Sequence, residues 1–211
     1  MKRQQPSLRP PDPTTTLAGF PTFSLPPTRT LWRVARDGHG PWWFGSSLQG
    51  RFDLPPPDGT CYLASDDLGA LLEILGPDLL PGAGAPKQLL ARRHLWAVAV
   101  PRRQRLADAI AERAVAWVTG ELSTIAPYRV PQAWALVFRR NGFDGVRYAA
   151  RHRTARRPFT VALFGPAGER SAWSAGKRTE IGEEHFARLA DRCGVVLFNV
   201  PSEDQLHFAR S

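Results

Sequence analysis

The chain has 211 residues, 43% of them hydrophobic, a formal net charge of +9 at pH 7 and a sequence pI of about 10.7. The hydrophobic content is typical of a globular core, and because no apolar run approaches the ~20 residues of a membrane helix, we expect no membrane-spanning segment. No apolar segment follows the basic N-terminus, so we expect no secretory signal and a cytoplasmic location. Arginine supplies most of the charge, which attracts nucleic acid, phosphate-bearing ligands or an acidic protein partner. A GC-rich genome would enrich arginine in the same way.

The first thirty residues differ in composition from the rest of the chain. Residues 1–30 contain seven prolines, with threonines between them and few apolar side chains. Because proline donates no backbone hydrogen bond, we expect an extended, mostly disordered arm, followed by one folded domain over residues 31–211. Cys61 and Cys193 are too few for a disulfide framework or a zinc site, and we expect both to be small buried side chains.

Beyond residue 30 the apolar pattern predicts short strands and helices that do not alternate regularly. Strands are predicted at 31–36, 60–65, 94–101, 143–148, 159–165 and 195–200. Helices are predicted at 66–75, 106–118, 131–142 and 180–194, with Ser65 as the N-cap of the first and Gly194 ending the last. These elements predict a compact α+β domain.

An acidic residue interrupts the first predicted helix. The leucines of helix 66–75 form an apolar stripe, and Glu73 lies off that stripe. Its neighbours about one turn away, Gly69, Ala70 and Gly76, are all small, so a ligand or another backbone has room beside it. An exposed glutamate on an amphipathic helix is the simpler interpretation.

Glu73 follows two other chemically capable residues. Arg51, Tyr62 and Glu73 are spaced eleven residues apart, on a predicted loop, a strand and the next helix. Singly, they are explained as a surface arginine, a core tyrosine and an exposed acid. Together they offer a cation for a pyrophosphate, an aromatic face for a heterocycle and a carboxylate for a sugar that becomes positive. NAD has all three features, although other ligands also fit.

Several motifs occur in an order that resembles the RES domain, the toxin half of bacterial RES–helix-turn-helix antitoxin modules. The resemblance covers roughly residues 31–165. It consists of LWRVAR, PWWFGSSLQGRFDLPPPDGTCYLASDDLGALLE, PQAWALVFRRNGFDGVRYAARH and TVALFG.

The resemblance implies a fold similar to that of ADP-ribosyltransferase toxins, and an enzyme that consumes NAD. Such enzymes cleave the nicotinamide–ribose bond by phosphorolysis or hydrolysis, or transfer ADP-ribose to a protein. NAD is then a substrate, so no cofactor is expected, and inorganic phosphate is a second substrate if the reaction is phosphorolysis. The implied protein partner is a cognate helix-turn-helix antitoxin, through which alone the chain would meet nucleic acid.

The resemblance also assigns roles to individual residues. Arg51 would contact the NAD phosphates, with Arg33 as a second phosphate contact. Tyr62 would stack near the nicotinamide or its ribose. Glu73 would hold the ribose and stabilise the oxocarbenium-like transition state.

The chain departs from the family pattern after the GVRY strand, where Ala150 takes the place of the usual serine. A methyl group makes no hydrogen bond, and one lost polar contact costs ~1–3 kcal/mol, tenfold to over a hundredfold in rate. Weakened catalysis, or a module that only binds a nucleotide or a protein, is therefore the alternative.

The basic segment that follows Ala150 has two interpretations. Arg151 and His152 are expected to line the pocket and bind phosphate groups, with His152 as a candidate general base because its ordinary pKa is near neutrality. A solvated basic loop is the simpler interpretation. Direct nucleic-acid binding is a third hypothesis for the chain, motivated by its charge, but no recognised nucleic-acid-binding motif accompanies it.

Overall fold

A computed structural model describes residues 8–79, 82, 84–150 and 158–200 of the chain. The helices are α1 (Asp67–Leu75), α2 (Arg129–Arg140) and α3 (Glu183–Cys193). The strands are β1 (Thr22–Leu25), β2 (Leu31–Arg36), β3 (Trp43–Phe44), β4 (Asp58–Ala64), β5 (Ala85–Pro86), β6 (Arg93–Val98), β7 (Gln104–Asp108), β8 (Gly145–Ala149), β9 (Phe159–Pro166), β10 (Gly168–Glu169), β11 (Lys177–Glu180) and β12 (Leu197–Phe198). Short 3₁₀ helices lie at Gly76–Asp78, Lys87–Leu90, Glu112–Ala116 and Gly120–Ser123.

One mixed sheet organises the molecule and confirms the predicted α+β class. Its eight strands are in the order β1-β7-β8-β9-β4-β2-β6-β11. Neighbours are antiparallel except β7 and β8, which are parallel. Two small sheets, β10-β3 and β12-β5, lie beside it.

Successive residues of each strand point to opposite faces of the sheet. The two faces are covered by different elements. On one face, the buried side chains pack against the three α-helices, with Leu71 of α1 and Leu189 of α3 in one cluster and Phe138 of α2 in another. On the other face they pack against Trp42 and Phe44, which belong to the segment around β3. The groove described below lies on the helix-covered face.

Residues 8–30 are not the disordered arm that their prolines predict. Leu8, Leu17 and Phe20 are buried in the same cluster as α2, and β1 pairs with β7. The backbone N–H of Leu17 also donates to Asn141 Oδ1 at 2.9 Å. A few well-spaced apolar side chains thus anchor a segment whose prolines suit an extended course. Residues 1–7 lie outside the described part of the chain.

Most predicted elements are confirmed, and one is wrong. Residues 106–118 are not a helix, because residues 104–108 form β7 and a 3₁₀ helix follows. In β7, which lies between β1 and β8, Leu106 and Ala107 point to opposite faces of the sheet. Both are buried, because both faces are covered. Tertiary pairing has outweighed the helical spacing of the apolar residues.

Smaller differences concern the ends of elements and the cysteines. Asp66, not Ser65, caps α1, while Ser65 Oγ accepts a hydrogen bond from the Phe159 N–H at 2.9 Å. Gly194 ends α3 in the left-handed region (φ 66°), as predicted. Cys61 is buried as expected, whereas Cys193 is half-buried. Among the described residues, no helix combines the length and apolarity that crossing a membrane requires.

Candidate functional site

The candidate site is a groove beside β4, on the helix-covered face of the sheet. On the helix-covered face, Tyr62 of β4 lies opposite Ala162 of β9, and Tyr148 of β8 lies opposite Thr160 of β9. Directly opposed residues in antiparallel strands point to the same face. Tyr62 and Thr160 therefore lie on the same face and line the groove, whereas Tyr148 and Ala162 are buried in the core beside it.

Helix α1 closes this groove into a cavity of about 180 Å³. Tyr62, Ala70 and Glu73 all line the cavity, so the structure brings together two of the three residues predicted from their spacing. Thr160 also lines it, and its Oγ1 donates to Glu73 Oε1 at 3.4 Å. Glu73 is half-buried, not fully exposed as the simpler interpretation of the helix proposed.

The Tyr62 hydroxyl is fixed by a buried carboxylate. Tyr62 Oη donates to Asp53 Oδ1 at 2.9 Å and accepts from the Phe52 N–H at 2.8 Å. Burial and then the charge of Asp53 raise the pKa of Tyr62 well above its ordinary value, so the phenol is neutral. With its hydroxyl held in this way, Tyr62 presents its ring to the cavity. A Cβ at Gly50 would lie 2.6 Å from Tyr62 Oη, which explains a glycine before Arg51.

Arg51 lies behind the cavity and does not line it. Its side chain is buried, Nη1 donates to the Ile125 carbonyl at 2.7 Å, and the guanidinium lies 4.7 Å from the centroid of the Tyr128 ring. Arg51 and Glu73 both act electrostatically on Tyr148. Of the three predicted residues, Arg51 is therefore the one that does not line the cavity.

Sequence reasoning missed Thr160, which lines the cavity, and Tyr148, which lies opposite Thr160 in the sheet. Tyr148 is buried, with its ring centroid 4.7 Å from that of Phe52. Burial, followed by the charge of Glu73, raises the pKa of Tyr148 well above its ordinary value, while Arg51 opposes the shift. The available signal was the predicted strand 143–148, whose last residue is Tyr148, but its neighbours depend on the pairing of β8 with β9.

Arg33 borders the cavity, but its guanidinium is held on the other face of the sheet. Nη1 lies 2.7 Å from the Pro41 carbonyl, 2.8 Å from the Trp43 carbonyl and 2.8 Å from Cys61 Sγ. Cys61 points away from the face that carries its neighbour Tyr62. In contrast to expectation, the structure does not bring the Arg33 guanidinium to Tyr62 and Glu73.

Comparisons with known proteins extend the resemblance to the RES domain beyond the motifs quoted above. The RES domain family model matches residues 30–179 of the chain. The chain belongs to the RES domain family. No curated protein matches it. A chain in the crystal structure of the M. tuberculosis MbcT-MbcA toxin-antitoxin complex is similar in fold, with a TM-score of 0.56 and 15% identity, over 75% of this chain and 86% of that one.

The RES domain match includes every residue proposed for the site, whereas α3 and β12 follow it. Ala150, at the position where the resemblance predicts a serine, is buried one residue after the end of β8. Arg151 and His152 lie outside the described residues, so their expected place in the pocket stays a prediction.

Proposed function

We propose that this RES domain protein is an NAD-consuming toxin that cleaves the bond between nicotinamide and ribose. The observation that carries the proposal is the placement of a half-buried carboxylate, Glu73, and an aromatic ring, Tyr62, on one cavity. The arginine that the RES resemblance assigns to the NAD phosphates, Arg51, lies close behind them, near Tyr148.

In this proposal Glu73 acts on the sugar. As the glycosidic bond breaks, positive charge develops on the ribose, and a carboxylate fixed beside it stabilises the transition state more than the ground state. The hydrogen bond from Thr160 Oγ1 to Glu73 Oε1 would orient that carboxylate. Nicotinamide leaves as a neutral molecule, so no general acid has to protonate it.

Tyr62 would supply the surface against which the departing ring stacks. Its neutral phenol is held by Asp53, so the ring is positioned before any ligand binds. A fixed aromatic wall reduces the entropy that the ligand loses on binding.

The cavity would enclose one end of NAD. Its volume of about 180 Å³ is below the roughly 300–1,000 Å³ of pockets that hold drug-sized ligands. We infer that nicotinamide and its ribose enter, while the pyrophosphate stays outside. Arg51 is 7% exposed, so a phosphate contact would require displacement of a covering side chain such as Tyr128.

A second candidate is a RES domain that binds a nucleotide or a protein without efficient chemistry. The observation that favours it is Ala150, whose buried methyl group offers no hydrogen bond where the family usually has a hydroxyl. Under either candidate, the proposed protein partner is a helix-turn-helix antitoxin. The presence of the similar solved chain in a toxin-antitoxin complex supports an antitoxin partner.

The deciding experiment mixes the purified chain with NAD, with and without inorganic phosphate, and follows nicotinamide by chromatography. Release of nicotinamide supports the enzyme, and its acceleration by phosphate, with a phosphorylated sugar product, identifies phosphorolysis. ADP-ribose without phosphate dependence identifies hydrolysis, and label from NAD on an added protein identifies transfer. Saturable NAD binding without nicotinamide release would contradict the enzyme and support the binding module.

A further inference from the structure

A second and larger cavity lies at the end of β2. Its volume is about 390 Å³, and its wall includes Arg36, Arg92 and Arg93 together with Asp37. We call it the arginine cavity. Among the described residues, it shares no lining residue with the cavity at Glu73. The proposed NAD chemistry does not use it.

Two of these arginines face each other across a strand pair. Arg36, the last residue of β2, lies directly opposite Arg93, the first residue of β6, in antiparallel register. Like charges in that arrangement repel each other and destabilise the sheet. Burial, followed by the charge of Arg36, lowers the pKa of the Arg93 guanidinium. Two cations therefore lie side by side at this end of the strand pair.

The third arginine is held beside them by an unusual backbone conformation. Arg92 has φ 55°, in the left-handed region that residues other than glycine seldom adopt. Its carbonyl accepts a hydrogen bond from the Asp37 N–H at 2.8 Å, which joins this turn to the end of β2. The turn therefore brings three guanidinium-bearing residues to one cavity.

Little negative charge lies at the arginine cavity. Asp37 is the one acid among the described residues that line the arginine cavity. Its carboxylate lies 3.1 Å from His94 Nδ1, 3.9 Å from Arg178 Nη2 and 4.0 Å from Arg92 Nε. One carboxylate thus serves several cationic or titratable partners. An adjoining cavity of about 220 Å³, lined in part by His94 and Arg178, adds no further acid among its described residues.

We propose that the arginine cavity binds the phosphate group of a small molecule. Planar guanidinium groups form paired hydrogen bonds with phosphate oxygens, and a bound phosphate would relieve the repulsion between Arg36 and Arg93. A volume of about 390 Å³ falls within the roughly 300–1,000 Å³ range of small-molecule pockets.

The test is calorimetric titration of the whole chain with inorganic pyrophosphate and, separately, with ADP, at constant ionic strength. We expect saturable binding at one site, weakened about tenfold or more by either Arg36→Gln or Arg93→Gln. Arg113→Gln is the matched control, because Arg113 is an exposed arginine on a different part of the molecule and should leave binding unchanged. Tighter binding of pyrophosphate or of ADP would tell whether the phosphates alone or also the nucleoside are recognised.

Two further measurements keep the result interpretable. Arg36 is exposed, and its removal relieves repulsion, so Arg36→Gln should unfold at the same or a higher temperature while losing the stabilisation by pyrophosphate. Arg36→Gln should release nicotinamide from NAD at the parental rate, which separates this site from the proposed NAD chemistry. The inference is overturned if pyrophosphate and ADP do not bind saturably, or if Arg113→Gln weakens them as much as Arg36→Gln does. Binding only of an oligonucleotide, steeply dependent on salt, would also overturn it.

Discussion

The cavity at Glu73 and the arginine cavity both border β2, but they differ in how far their charged groups are neutralised by partners within the protein. Trp32 and Val34 line the first, and Arg36 lines the second. In the first, polar groups are compensated before any ligand arrives, as in the pair of Asp53 and Tyr62. In the second, cations outnumber the one acid among the described lining residues. Under the two proposals, the cavity at Glu73 suits a transition state that becomes positively charged, and the arginine cavity suits a negatively charged ligand.

The largest expected effect is on NAD cleavage at the cavity that Glu73 lines. Glu73→Gln keeps the size of the side chain but removes the charge that would stabilise the developing cation. We expect nicotinamide release from NAD to fall by about 10²–10³-fold, as for other preorganised electrostatic groups. Release is measured by chromatography under single-turnover conditions.

The matched control is Glu112→Gln, a neutralised glutamate that is exposed on a 3₁₀ helix away from both cavities. It should consume NAD at the parental rate. If Glu73→Gln consumes NAD as fast as the parent, the proposed role of Glu73 is wrong.

The second prediction concerns Asp53, the buried carboxylate that accepts a hydrogen bond from Tyr62. Asp53 is buried and accepts hydrogen bonds from Tyr62 Oη, from the Gly50 N–H at 2.9 Å and from Ser47 Oγ at 3.3 Å. Asp53→Ala leaves buried donors without an acceptor, which costs about 1–3 kcal/mol of unfolding free energy. We expect the KM for NAD to rise as well, because the Tyr62 ring loses its anchor. Denaturant unfolding and steady-state kinetics measure both effects.

Ser47→Ala removes only the longest of these hydrogen bonds, so its effect should be much smaller. Equal losses for Asp53→Ala and Ser47→Ala would show that Asp53 does not hold Tyr62. In the arginine cavity, by contrast, removing the charge of Arg36 should not reduce stability at all.

The third prediction tests the departure from the family pattern. If catalysis is limited by the missing hydroxyl, Ala150→Ser should raise NAD cleavage by about tenfold or more. Ala149→Ser is the matched control, since Ala149 is the adjacent residue, lies at the end of β8 and points to the other face. A variant no faster than the parent would mean that Ala150 does not limit the reaction.

Several parts of the fold follow from local pattern, and others depend on distant pairing. Strands β2, β4 and β9 were predictable because short apolar runs fill both sides of a covered sheet. Residues 106–118 were misjudged because the partners of β7 are distant in sequence. The segment before β1 was misjudged because three well-spaced apolar side chains outweigh many prolines.

The candidate site likewise has residues that local pattern predicts and residues that only distant strand pairing brings in. The spacing of Arg51, Tyr62 and Glu73, with the family resemblance, predicts one cluster, and of these residues Tyr62 and Glu73 line the cavity. Thr160 joins it through the register of β9 with β4, and Tyr148 is placed beside Thr160 through the register of β8 with β9; no local pattern specifies either register. The register of β2 with β6 likewise makes the arginine cavity, so nothing in the sequence around Arg36 alone predicts it.

The smallest expected effect concerns the helix that carries Glu73. Asp67, in the first turn of α1, accepts a hydrogen bond from Arg188 of α3, with Nη2 and Oδ1 3.1 Å apart. Burial acts to raise the pKa of Asp67, but the hydrogen bonds from Arg188 and the Leu68 N–H, with the charge of Arg188, outweigh it and lower the pKa. Because the folded state favours the ionised form, the stabilisation is present above the unfolded pKa of about 3.9 and is lost as pH falls through the folded value.

Asp67→Asn should therefore be less stable than the parent near neutral pH, and the difference should shrink as pH falls from about 6 to about 3. We expect less than about 1 kcal/mol, because the pair is partly exposed and water screens it. Denaturant unfolding across that range measures the difference, with the exposed Asp191→Asn of α3 as control. A difference independent of pH would contradict the ion pair as its source. A small effect on stability with unchanged NAD turnover would show that packing, not this pair, sets the position of Glu73 over the cavity.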